Sequence, residues 1–176
     1  HIDVDPAEIG RNYAAIVGLV GDARLVLADL LVAVWVKSEG NLAPNATRLA
    51  YLQGVAAEWW AEAKTGMAAE DVPIKPLRVI QELALALPPG SVLVADAGTP
   101  TPYLSAYFVS RAGRQVIIPR AYGGLGYALP GVIGAKLARP EATVVGLLGD
   151  GSFGMSVGEL ETNSRLGLPE TLIHFK

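Results

Sequence analysis

Residues 143–154, T-V-V-G-L-L-G-D-G-S-F-G, constrain the fold more tightly than any other stretch of the chain. The apolar run Val144–Leu148 has the length and composition of a buried parallel strand, and it breaks at Gly149-Asp150-Gly151-Ser152 into helical spacing. A strand that passes through such a turn into a helix offers free backbone N–H groups at its carboxyl end, a setting that stabilises an anion. The literal pattern, G-x-G-x-x-G, is also that of a dinucleotide-binding turn.

Asp150 sharpens the choice. Two like charges about 4 Å apart repel by roughly 4 kcal/mol at an effective dielectric of 20, so a carboxylate between the glycines opposes a bare pyrophosphate. A divalent cation reverses that sign: the carboxylate binds the metal and the metal binds the phosphates. Gly149, Gly151 and Ser152 are then left to bond phosphate oxygens. The plainer alternative is an aspartate that only caps the following helix.

The rest of the chain supplies a matching frame. Short apolar segments alternate with helical ones: strands are predicted at 91–95, 115–118, 143–148 and 171–175, and helices at 77–87, 102–110, 125–138 and 155–166. This alternation predicts an α/β fold with a doubly wound parallel sheet, helices on both faces and ligands at the carboxyl ends of the strands. Upstream, Asp5-Pro6-Ala7-Glu8 has the form of a helix start, Gly21-Asp22 opens another helix, and a third runs from about Asn45 to a stop at Gly66. Trp59 and Trp60 are expected to point to different sides. The expected organisation is the end of a preceding α/β domain at 1–36, a linker with one helix at 37–75, and the sheet domain at 76–176.

Two further loops fall at strand carboxyl ends. In Asp96-Ala97-Gly98-Thr99-Pro100-Thr101-Pro102, Gly98 permits close backbone approach and Thr99 and Thr101 offer hydroxyls to phosphate oxygens, although a proline-stiffened helix cap accounts for the segment equally well. Pro119–Gly126 contains Gly123-Gly124-Leu125-Gly126, which read alone is a flexible turn before a helix.

Composition narrows the partners. Charged residues make up 18% and hydrophobic residues 51%, so there is more apolar surface than this chain's polar residues can cover, and burial against other subunits or other parts of a longer polypeptide is expected. The net charge of −3 and the lack of a basic cluster disfavour nucleic acid. No apolar run reaches the ~20 residues of a membrane span. Cysteine is absent, which excludes thiolate metal sites and disulfides. The chain opens without methionine or a signal pattern and reads as an internal piece of a cytoplasmic protein.

G-D-G-S with the sequence after it, P-R-A-Y-G-G-L-G-Y-A-L-P-G upstream, and the opening H-I-D-V-D-P-A-E-I-G-R-N-Y together resemble the thiamin-diphosphate-dependent enzymes, in particular acetolactate synthase and its 2-oxo-acid decarboxylase relatives. The resemblance implies thiamin diphosphate and Mg2+ as cofactors. It gives Asp150 the metal and Gly151 and Ser152 the diphosphate. The Gly123 carbonyl becomes an acceptor for the aminopyrimidine within the Gly123-Gly124 turn, and Leu125 a wedge beneath the bent cofactor. The first of two closing asparagines would fall at Lys176. At the first loop T-P-T-P departs from the Gln and His side chains common in acetolactate synthases.

The implied substrate is a small 2-oxo acid, whose carbon dioxide leaves while the cofactor's thiazolium accepts the electrons. No catalytic residue is implied in this chain, because the activating glutamate belongs to a pyrimidine-binding domain of the same or a neighbouring subunit, in a homodimer or homotetramer. Two other readings stand beside this one. An NADP-dependent oxidoreductase would use GDGSFG as its dinucleotide turn, though it lacks an acid at the end of the next strand, Phe175-Lys176. A non-catalytic scaffold subunit would keep the fold without the chemistry.

Overall fold

The computed structural model describes residues 1–41 and 43–176; Leu42, inside the expected linker, lies outside the described residues. The chain divides into two compact units, His1–Val55 and Ala56–Lys176, and the division falls inside a helix.

In the first unit β1 (Ile2–Asp3) pairs in parallel with β2 (Leu19–Val20), matching Ile2 to Leu19 and Asp3 to Val20. The helix expected after Asp5 does not form. The Asp5 carboxylate accepts from the Ala7 N–H at 2.8 Å, its carbonyl accepts from Glu8 at 3.1 Å, and Gly10 turns the chain at φ +78°. These tight turns return the backbone toward β2, which the sequence reading lacked, and leave no room for a helical run. Helix α1 (Ala23–Lys37) starts where Gly21-Asp22 predicts, with Asp22 accepting from the Leu25 N–H at 3.1 Å. Helix α2 (Ala46–Met67) begins after Asn45, whose side chain accepts from the Arg48 N–H at 2.9 Å.

The second unit takes the C-terminal half of α2. The stop expected at Gly66 comes one residue later, after Met67, and a Cβ at Gly66 would come within 2.6 Å of Leu77 Cδ1, so close packing also requires glycine there. The two tryptophans share one target, since Trp59 stacks on Tyr107 at 5.4 Å between ring centroids and Trp60 meets the same ring edge-on at 6.3 Å.

Helix α3 (Pro76–Ala86) has Pro76 in its first turn, where the missing N–H costs nothing. Then follow β3 (Val92–Ala95), α4 (Pro100–Tyr107), β4 (Gln115–Ile117), α5 (Ala128–Ala138), β5 (Val144–Gly149), α6 (Asp150–Ser156), α7 (Glu159–Leu166) and β6 (Thr171–Phe175). The single helix expected over 155–166 is two helices, the first starting at once on Asp150 and the break lying at Val157-Gly158. The helices expected from 102 and 125 begin at Pro100 and Ala128.

The four strands form one parallel sheet in the order β4-β3-β5-β6. Alternate residues of β3 and β5 feed two cores. Leu93, Ala95, Val145 and Leu147 pack with Ile80, Leu83 and Leu104 of α3 and α4. Val92, Val94 and Val144 pack with Leu129 and Val132 of α5 on the opposite face. This is a doubly wound α/β layer, as the alternation predicts. Arg114 closes the end of α3 by donating to the carbonyls of Ala84 (3.0 Å), Leu87 and Pro88 (3.4 Å), satisfying acceptors the helix leaves open. No described helix is long and apolar enough to cross a membrane.

Candidate functional site at the carboxyl edge of the sheet

Strand order fixes where a ligand can sit. From β3 the chain moves outward to β4, then returns to lay β5 on the other side of β3. The loops after β3 and β5 therefore leave the sheet in opposite directions and open a crevice at its carboxyl edge, the place where open α/β sheets bind ligands.

The loop after β3 carries Gly98 at φ +109°, with open space where a Cβ would project, and Thr99 exposed beside it. The Thr101 hydroxyl does not face the crevice as a free donor. It is buried and donates to the Asp96 carbonyl at 2.6 Å, which holds the loop. Asp96 itself, 1% exposed, accepts from the Gly126 N–H at 3.1 Å through Oδ1 and from the Ala128 N–H at 2.8 Å through Oδ2. The sequence reading did not single out this residue, because its partners lie 30 and 32 positions away and leave no local pattern.

Asp96 thus joins the first loop to the second. Gly123 (φ +66°) and Gly126 (φ +85°) both hold backbone conformations that favour glycine, and Gly123 and Gly124 have open space around them. Gly126 is the crowded one: a Cβ there would lie 3.3 Å from Met155 Cβ and 3.7 Å from the Ser152 carbonyl oxygen, which brings the second loop against α6. Leu125 is half-exposed on the same edge.

The third loop completes the set. Gly149 is extended, Asp150 begins α6 with its carboxylate exposed and accepting from the Gly151 N–H at 2.8 Å, and Gly151 is open. Ser152 is buried, and its carbonyl accepts from the Ser156 hydroxyl at 3.3 Å. Pairing of Gly149 with Phe175 brings the end of β6, and Lys176 after it, to the edge that bears Asp150. His174 on β6 is exposed, with its ring 5.9 Å from Phe153.

Glycines open to approach, an exposed carboxylate at a helix start and a half-exposed leucine on one rim suit a diphosphate carried on an apolar ring system. An apolar groove of about 540 Å³ lies elsewhere in the unit, between residues 69–74, α3 and Ile173, and has neither the glycine turns nor the hydroxyls of the rim. Among the described residues, no three His, Cys, Asp or Glu side chains cluster so as to hold a metal by themselves.

Comparison with known proteins gives the same ligand. Residues 96–176 match the family described as thiamine pyrophosphate enzyme, C-terminal TPP binding domain. Across 99% of its length the chain is 32% identical to a probable acetolactate synthase large subunit of Methanocaldococcus jannaschii, 29% of which it covers. It is 31% identical to the putative thiamine pyrophosphate-containing protein YdaP of Bacillus subtilis over 98% of the chain and 29% of that relative. Against a sulfoacetaldehyde acetyltransferase of Rhodobacter capsulatus it is 31% identical over 99% of the chain and 32% of the relative. The chain spans about three-tenths of the length of these relatives. The match to a TPP-binding domain removes the dinucleotide reading of the GDGSFG turn. Residues 96–176 thus belong to the C-terminal TPP binding domain of the thiamine pyrophosphate enzymes, and along its whole length the chain is similar to acetolactate synthase-like proteins.

Proposed function

We propose that this chain supplies the diphosphate- and magnesium-binding half of the active site of an enzyme that decarboxylates 2-oxo acids, joins them to a second carbonyl compound, or does both. The observation that carries this reading is the convergence of three loops on one sheet edge, with the exposed Asp150 carboxylate between two glycines. Asp150 would hold Mg2+, consistent with the magnesium preference for few protein carboxylates beside substrate phosphates. Gly98, Thr99, Gly149, Gly151 and Ser152 take the diphosphate, with Thr101 stiffening the first loop. Gly123 and Gly124 offer backbone to the aminopyrimidine, and Leu125 supports the cofactor from below.

Bound thiamin diphosphate supplies an electron sink for the bond broken beside the substrate carbonyl. This chain's part is to fix the diphosphate end so that the ring end is held in one orientation, which lowers the entropy cost of the reaction step. Gly98, Thr99 and residues 120–125 of the rim are exposed, which suits closure by a pyrimidine-binding domain of the same or a neighbouring subunit in a cytoplasmic homodimer or homotetramer. Residues 1–36 would then close a central α/β domain, 37–75 would link it, and 76–176 would form the diphosphate-binding domain.

The test is a screen of the full-length protein, loaded with thiamin diphosphate and Mg2+, against pyruvate and longer 2-oxo acids. Carbon dioxide release or carboligation with at least one of them is the expected result. Cofactor binding without turnover of any would favour a scaffold subunit that retains the fold.

A further inference from the structure

We propose that Asp96 is a positioning residue that presets the Gly123–Gly126 loop for the ring half of the cofactor before the cofactor arrives. The inference rests on the assignment of thiamin diphosphate to this edge. Asp96 is the one charged side chain in the buried set of the second unit, at 1% exposure. A carboxyl group in such a place needs partners to offset its lost hydration. Both partners are backbone amides of the loop and of the helix behind it, Gly126 and Ala128.

Two features make this more than a distant helix cap. Tyr127, in the N-cap position of α5, makes no side-chain capping bond, so the start of α5 is tied down from β3 through Asp96. Gly126 is also gripped from the other side, where α6 leaves no space for a Cβ without movement. Gly126 is therefore clamped between Asp96 and the helix that begins at Asp150, while Gly123 and Gly124 project freely from the clamp. A clamp at one end of a glycine-rich turn removes most of the conformations that ring binding would otherwise have to exclude. The diphosphate contacts of residues 149–152 lie on a separate loop and need this clamp less.

The first test uses hydrogen exchange of the cofactor-free full-length protein, read at residue level. The amides of Gly126 and Ala128 are expected to exchange at least about tenfold more slowly than those of Gly123 and Gly124, because local protection follows local opening. Equal rates would overturn the proposal, whatever any variant does. The second test compares Asp96→Asn with the parent for binding of thiamin diphosphate and of inorganic pyrophosphate, both with Mg2+. Asn keeps the shape but turns one acceptor into a donor facing an N–H. Thiamin diphosphate affinity is expected to fall about tenfold or more while pyrophosphate affinity falls less than about threefold, since only the former uses the preset loop. Equal losses for the two ligands, or no loss for either, would reduce Asp96 to a structural cap and overturn the proposal. If the parent protein binds neither ligand, the cofactor assignment fails, and the exchange rates still decide whether Asp96 presets the loop.

Discussion

Helices α1 and α3 are both rich in apolar residues, yet they meet opposite fates. In α3 the apolar residues form a stripe, and Ile80 and Leu83 are buried against the sheet. In α1 leucine, valine, alanine and tryptophan occupy every side, and none of its residues is buried. The difference lies in what each unit offers as a partner. Four parallel strands give α3 a continuous apolar face, whereas two strands of two residues give α1 almost none. Helical apolarity alone does not make a core; a sheet wide enough to receive it does.

The comparison can be broken most directly by truncation. Leu147→Ala, in the fully buried centre of the second unit, is expected to destabilise by about 2–5 kcal/mol in urea titrations of the 176-residue chain, the range for large-to-small core changes. Leu31→Ala in α1, 63% exposed, should change stability by less than about 0.5 kcal/mol under the same conditions. Equal costs would mean that α1 is packed as tightly as the sheet. A somewhat smaller effect is expected at Gly146, where a Cβ would lie 2.8 Å from Leu172 Cδ2 and 2.9 Å from Val132 Cγ1. Gly146→Ala therefore overpacks the layer under α5, at about 1–3 kcal/mol, measurable by thermal melting.

Helix α2 sharpens the contrast within one element. At Gly54, in the first unit, a Cβ meets nothing, so Gly54→Ala should stabilise by roughly 0.5–1 kcal/mol through helix propensity. At Gly66 a Cβ collides with Leu77, so the same change should lower the melting temperature. Like signs at the two positions would contradict the packing described for α2.

The smallest effect is electrostatic. Partial burial pushes the Glu170 carboxyl above its ordinary value, with Lys136 acting in the opposite sense, and its Oε2 is buried without a hydrogen-bond partner. Glu141 lines the same depression and adds no positive charge. A carboxyl whose folded pKa is raised contributes stability below its unfolded value and loses it as pH rises through the folded value. Glu170→Gln should therefore slightly raise the urea midpoint at neutral pH, and the gain should vanish on acidification below the ordinary carboxylate range. A gain that persisted in acid would point to packing instead.

How far the sequence reveals this molecule depends on the range of the forces involved. The β5 strand and the Gly149–Ser152 turn were legible because both are local: a short apolar run, then residues whose backbone freedom and charge carry their own meaning. The alternation of strands and helices gave the doubly wound layer for the same reason. Asp-Pro-x-Glu from Asp5 satisfies a local capping pattern that predicts a helix, while the return to β2 that overrides it depends on pairing across 17 positions, Ile2 to Leu19. Trp59 and Trp60 were expected on different sides of α2, but the position of Tyr107 draws both. Asp96 and the engaged Thr101 hydroxyl were hidden because their roles exist only once β3, the glycine loop and α5 have been brought together.

The central claim is that Asp150 joins the diphosphate to the carboxyl edge of the sheet through a metal. Calorimetric titration of thiamin diphosphate into the full-length protein, with Mg2+ and then with EDTA, beside an Asp150→Ala variant, tests it most directly. The account predicts binding that needs both the metal and Asp150, with affinity falling by about a hundredfold or more when either is removed, in line with the loss of a charged ligand pair. Binding of equal strength in EDTA, or in the variant, would contradict it.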